Sequence, residues 1–386
     1  MLTGLFDEDI PDEDGETFDR DDIASSSPAT LTALSPRENP HCWYHQDVEK
    51  ILLDFIASGS IPHALIFSGP KGIGKATMAY RLARYLLKNG LGSASSAQDS
   101  LFGDTASTAA PSLDVAPDDP VFHRVASGGH TDLLTIEKPE DKDEINVETA
   151  RKIAPFLRLT ASGGGYKIVI VDDADTINRN GQNALLKILE EPPSQTVIIL
   201  VTHRLGGLLP TIRSRCRLIP FQTLPVSDIL DFVKKFHPDI SASDTDTLCH
   251  LADGSPGSAL QILEGSGMDI LSSVVDLLAS WPDWDWVRVH GTAETYGRGR
   301  EDEYARFCEN FKWTMSHLTR AKALQAWDKL PRVLQKEPLK NLWGHYSLEE
   351  WVVICDNVTA HFGQVKQGSL DRRHGILGVF PLLRKS

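Results

Sequence analysis

The chain has 386 residues, 41% of them hydrophobic and 24% charged, enough for two or three domains that each bury a core. Its net charge of −14 is concentrated: ten carboxylates and one arginine fall between Asp7 and Asp22, and the rest of the 53 acidic and 39 basic residues is close to balanced. That balance excludes a protein that grips nucleic acid by its own positive charge, and five scattered cysteines (Cys42, Cys216, Cys249, Cys308, Cys355) without a CxxC pair exclude a disulfide framework or cysteine zinc site.

The N-terminus opens on acidic residues, and no run of about 18 apolar residues occurs, so neither a signal peptide nor a membrane span is expected and the reading is cytoplasmic. Residues 1–36, with the acidic run and the Pro/Ser-rich string SSSPAT, read as a disordered tail, because they offer too little apolar surface to offset chain entropy. From Asp47 to Ala57, Val48, Ile51, Leu52 and Ile56 follow helical spacing, and Gly59 ends the segment. HALIFSG (His63 to Gly69) predicts a strand running into a glycine loop, and Lys75 to Leu87 resumes helical periodicity through Met78, Leu82 and Leu86. Residues 89 to about 130 are rich in Gly, Ser, Ala and Asp and read as a long loop insertion. Tyr166 to Val171 predicts a second strand, Asn183 to Glu191 a helix stopped by Pro192 and Pro193, and Thr196 to Val201 a third strand. This alternation predicts a parallel α/β sheet with helices on both faces over residues 37–220. Beyond it the pattern is helical: a small lid over 221–268 and a larger domain over 269–386. The latter holds Trp281, Trp284, Trp286, Trp313, Trp327, Trp343 and Trp351, read first as core and alternatively as interface anchors.

GPKGIGKAT (Gly69, Pro70, Lys71, Gly72, Ile73, Gly74, Lys75, Ala76, Thr77) is a phosphate-binding loop in the order strand, loop, helix. Its glycines let the backbone form a nest of N–H groups, and the lysine neutralises the outer phosphates. The position that normally carries a magnesium-binding hydroxyl is Ala76, with Thr77 one residue late and turned about 100° around the helix. KIVIVDDAD (Lys167 to Asp175) supplies an apolar strand ending in carboxylates, so Asp172 is the expected magnesium ligand and Asp173 stands where many ATPases carry a water-polarising glutamate. From local sequence alone, Arg213, Arg215 and Arg217 alternate as on a half-exposed strand, and Arg215 reads as one half of a surface ion pair.

NALLKILEEPP (Asn183 to Pro193) and SRC (Ser214 to Cys216), placed after a phosphate loop and an aspartate-ended strand, resemble the bacterial clamp-loader subunits of the AAA+ class over residues 37–260. The resemblance implies an α/β P-loop AAA+ core, a helical lid and a helical C-terminal collar. It implies a ring shared with gamma/tau and delta subunits that acts on a sliding clamp and primed DNA, with no membrane partner. Arg215 would then be a finger reaching a neighbour's ATP site, and Thr202, at the end of the third strand, the residue sensing the γ-phosphate. Departures from the motor pattern at Ala76, Asp173 and Gly257, in GSPGSAL (Gly254 to Leu260), point to the delta-prime branch, with ATP bound weakly or without turnover. Residues 88 to 150 lack the four cysteines of a zinc module seen in many relatives, so no zinc is expected. The alternative is a gamma/tau-like autonomous motor; a small-molecule P-loop kinase is a more distant third.

Overall fold

In the computed structural model, the described residues are 35–91, 112–139, 142, 144–162, 165–299, 301–368 and 370–383. The acidic tail at 1–34 and about half of the expected insertion, 92–111, lie outside them. Five parallel strands, β1 (Ala64–Ser68), β2 (Leu133–Ile136), β3 (Lys167–Val171), β4 (Thr196–Thr202) and β5 (Arg217–Pro220), form one sheet in the order β2-β3-β4-β1-β5. The three strands expected from sequence are the central ones. Their residues are buried almost without interruption, as both faces of a parallel sheet require. β2 and β5 are the edges, four residues each with one fully buried side chain apiece, too little apolar pattern to stand out in the sequence.

Alternate side chains feed two separate cores. Leu65, Phe67, Ile168, Ile170, Ile199 and Val201 pack under the helices Gln46–Ala57 and Lys75–Asn89. Ile66, Val169, Val171, Ile198 and Leu200 pack against Ile153, Leu157, Leu185 and Leu189 on the other face. At the edge of the sheet remote from the strand ends that form the site, Lys167 is paired with Asp132 at 3.1 Å, both almost fully buried, with the ammonium 4.4 Å from the Phe156 ring. Part of the segment read as loop is ordered: Pro120–Ala126 is a helix, started by Pro at its first turn and by the Asp119 carboxylate accepting from Val121 N. Its buried face is only Phe122 and Val125, and two turns are too short for a periodic signature.

Beyond β5 every regular element among the described residues is helical. Val226–Phe236, Ala242–Ala252 and Pro256–Glu264 enclose a small core of Ile229, Val233, Leu248, Cys249 and Ala259. The remaining helices, from Gly267–Leu278 to Arg372–Val379, surround Phe307, Phe311, Leu318, Trp351 and Phe380. Each such side chain contributes about 1.5–3 kcal/mol on burial. Of the tryptophans in this part, Trp284 and Trp351 are buried, Trp281, Trp313, Trp327 and Trp343 pack partly against the core, and Trp286 is exposed. No helix among the described residues is long and apolar enough to cross a membrane.

Candidate functional site

The strand order puts the carboxyl ends of β3, β4 and β1 side by side, and a cleft at such ends is where open α/β sheets hold ligands. β1 delivers the glycine loop, β3 delivers Asp172 and Asp173, and β4 delivers His203. These residues line a cavity of ≈ 310 Å³, closed by Cys42 and Trp43 from the segment before the first helix and by Phe232, Gly257 and Leu260 from the helical part that follows. That volume is at the lower end of the ~300–1,000 Å³ found for ligand pockets. Trp43 meets Phe232 and Phe236 edge-on, with the Lys235 ammonium 3.8 Å from its ring centre.

The loop has the backbone its glycines allow. Gly72 at φ 74 and Gly74 at φ 106 are in the left-handed region, Gly74 capping the helix that starts at Lys75. His45 Nε2 lies 2.7 Å from Ile73 O, buried, and Cys42 packs behind Gly74 with its thiol pushed up to about 12 by burial. From the other side, Ser255 Oγ donates to Lys71 O at 2.8 Å and Gly257 N donates to Gly72 O at 2.9 Å. A Cβ on Gly257 would lie 2.7 Å from Gly72 O and 2.9 Å from Gly72 Cα. Position 257 is therefore pressed against the phosphate loop with no room for any side chain.

Lys75 is 2% exposed, and its ammonium donates to Gly69 O at 2.7 Å, Pro70 O at 2.5 Å and His203 Nδ1 at 2.9 Å. An ammonium has only donors, so His203 Nδ1 carries no proton and Nε2 is the N–H. That N–H faces Asp173 Oδ1 at 2.5 Å. Burial pulls the Lys75 pKa down to about 8 against the opposing pull of Asp172, Asp173 and Asp175. The hydrogen bond from His203 is the main reason that the Asp173 carboxyl sits below its ordinary range. Burial, and then the neighbouring Asp173 charge, raises Asp172. Asp173 holds its place at φ 53, left-handed for a non-glycine residue.

Of the residues singled out in the sequence, Lys71 to Thr77, Asp172 and Asp173 line the cavity. Gly69 and Pro70 take part through their carbonyls. Thr202 does not line it: fully buried, its hydroxyl donates to Asp175 Oδ1 at 3.0 Å, and Asp175 also accepts from His203 N. The side chain that turns into the pocket from the end of β4 is the next one, His203. Arg215 lies outside the cavity, half-exposed, pairing with Glu190 at 2.7 Å and donating to Thr211 O at 2.9 Å. Nor do the three arginines alternate along one strand: Arg213 ends the short helix Pro210–Arg213, Arg215 sits in the turn after it, and only Arg217 belongs to β5. A Pro at the first position of that helix was the available signal for it. Trp43 and His203 were missed because neither belongs to a motif.

A nucleotide with magnesium is the ligand implied by the loop. The residues present do not fit that pair. Every donor of Lys75 has an acceptor within the protein, one oxygen of the Asp173 carboxylate is taken by His203, and the Ala76 side chain has no oxygen to offer. Among the described residues no group of three or more His, Cys, Asp or Glu is placed to hold a metal ion.

The profile of a family described as DNA polymerase III, delta subunit, matches residues 44–225. The DNA polymerase III subunit delta' of Pseudomonas aeruginosa is 35% identical over 208 residues, 53% of this chain and 57% of that protein. The subunit of the same name from Escherichia coli is 30% identical over 257 residues, 63% of this chain and 67% of that protein. These matches thus span a little over half to two thirds of the relatives' length. Among solved structures, a gamma-subunit-related protein of DNA polymerase III from Thermotoga maritima aligns at a TM-score of 0.42 and 18% identity, covering 87% of this chain and 98% of that one. With the Escherichia coli subunit covered over two thirds of its length at this identity, the chain belongs to the family of DNA polymerase III delta-prime subunits.

Proposed function

We propose that this chain is the stator of a clamp loader, a ring it shares with gamma/tau and delta subunits, which opens a sliding clamp and places it on primed DNA in the cytoplasm. Its own nucleotide site neither turns over ATP nor drives a conformational cycle; residues 37–220 serve as the core, 221–268 as a fixed lid and 269–386 as the collar. The observation that carries this reading is the seat of Gly257 on Gly72 O at 2.9 Å, which joins lid and loop where a motor needs an arginine that answers to the γ-phosphate. A ligand with no differential contact to two lid positions cannot switch between them.

Arg215 supplies the finger for a neighbouring motor's ATP site. Its exposed pairing with Glu190 supports this, because a surface ion pair is worth only about 0.2–1 kcal/mol whereas a finger in trans contributes ~10³–10⁵ in rate at the site that receives it. The guanidinium therefore leaves Glu190 at little cost. The test is ATP turnover by the purified chain, and by the reconstituted loader with Arg215 or Arg215→Ala. The chain alone is expected to be inactive, and Arg215→Ala to lower loader turnover while assembly persists. Turnover by the isolated chain that Lys75→Ala abolishes overturns the stator; unchanged loader turnover overturns the finger.

A further inference from the structure

We propose that His203 is a lock on the phosphate loop, a positioning residue that occupies Lys75 in place of a phosphate and so sets the low nucleotide affinity of this subunit. The inference rests on the reading that the chain's own site does not cycle, and adds the residue responsible.

The geometry is that of a relay across three segments. The imidazole follows β4, and its backbone N–H is fixed by Asp175 Oδ1 at 3.0 Å, so the ring is aimed into the cavity by its own main chain. Its Nδ1 accepts from the Lys75 ammonium at 2.9 Å and its Nε2–H donates to Asp173 Oδ1 at 2.5 Å. With Gly69 O and Pro70 O as the other two acceptors, the three donors of the ammonium are matched by three acceptors of the protein. A triphosphate has to replace the histidine before it meets the lysine, and doing so leaves the Nε2–H···Asp173 contact without its third member. The imidazole reaches the ammonium and is held there from behind by Asp173.

Loss of the hydroxyl at Ala76 leaves the lysine and the loop amides unaltered, so a low affinity needs a further cause, and the relay supplies one. It also gives Asp173 a purpose: the shorter carboxylate, in its left-handed turn at φ 53, anchors a ring where a motor's carboxylate would face water.

The experiment is equilibrium binding of a fluorescent ATP analogue, and of inorganic tripolyphosphate, to the full chain without magnesium. The wild type is compared with His203→Ala, His203→Asn, Asp173→Asn and the double variant Lys75→Met/His203→Ala, folding being checked by circular dichroism. His203→Ala frees one donor of a buried ammonium and is expected to bind both probes at least tenfold more tightly. His203→Asn, whose Oδ1 stands in for Nδ1, is expected to stay within about threefold of the wild type, and the double variant to lose the gain. Asp173→Asn, which loosens the ring without removing it, is expected to lie between. If His203→Ala does not fold, Asp173→Asn decides alone. Unchanged or weaker binding in the folded variants overturns the lock, as does a gain that survives loss of Lys75. Tight binding and turnover by the wild type would instead refute the stator reading, so the two failures are told apart.

Discussion

Gly257→Ala is the smallest change that should unseat the lid. The added methyl would meet Gly72 O at 2.7 Å, Gly72 Cα at 2.9 Å and Gly72 C at 3.2 Å. All three are main-chain atoms of a loop whose carbonyls are also tied by Ser255 and His45, so they cannot rotate away as a side-chain tip would. Overpacking of this kind costs about 1–3 kcal/mol, and separating the elements also breaks Gly257 N–H···O Gly72, a further ~0.5–1.5 kcal/mol. Alanine recovers up to about 1 kcal/mol through helix propensity, which leaves a net loss of roughly 1–3 kcal/mol. The assay is thermal and urea unfolding, with hydrogen exchange read at the amides of Gly72 to Gly74. Gly363→Ala is the control: it lies within the helix Leu348–Gln367, and a Cβ there meets nothing within 4 Å, so it should stabilise by about 0.5–1 kcal/mol. If Gly257→Ala behaves like that control, or leaves exchange at the loop unchanged, the claim that the lid is seated through this glycine is wrong.

Two further outcomes follow from buried charges. Asp132→Ala leaves the Lys167 ammonium, 5% exposed, without its carboxylate and should cost about 3–5 kcal/mol in urea unfolding; a loss under about 1 kcal/mol would mean that water already solvates the pair. Lys75 titrates near 8 in the folded chain against 10.5 when unfolded. The unfolded chain therefore binds more protons between those values, and the stability of the wild type relative to Lys75→Met should rise as pH goes from 8 to 10.5. A flat or falling difference in melting temperature over that window would show that the ammonium is not buried as described.

What could be read from the sequence was what is coded in contiguous residues. The strands β1, β3 and β4 are apolar on both faces because they lie inside the sheet, and the loop Gly69 to Lys75 carries its own backbone chemistry in its glycines. The edges β2 and β5 bury too little to register, and the helix Pro120–Ala126 is too short for a period. Arg215 and Glu190 each stood in a string singled out for its family likeness, yet nothing in the spacing of the two strings told that they meet at 2.7 Å. His203 reaches Lys75 across a separation of 128 residues, and a histidine after a strand belongs to no pattern.

The departures at Ala76, Asp173 and Gly257 look independent in the sequence, one per motif. In the folded chain two of them act on the same seven-residue loop. Asp173 holds the histidine that takes up the lysine of the loop, and Gly257 admits the backbone contact that fixes its carbonyl. Placing a hydroxyl at Ala76 alone would leave both contacts as they are, the lysine still satisfied by the protein and Gly257 still bonded to Gly72. On the proposed reading, those two contacts rather than the missing hydroxyl are what must be broken before the loop can take a phosphate.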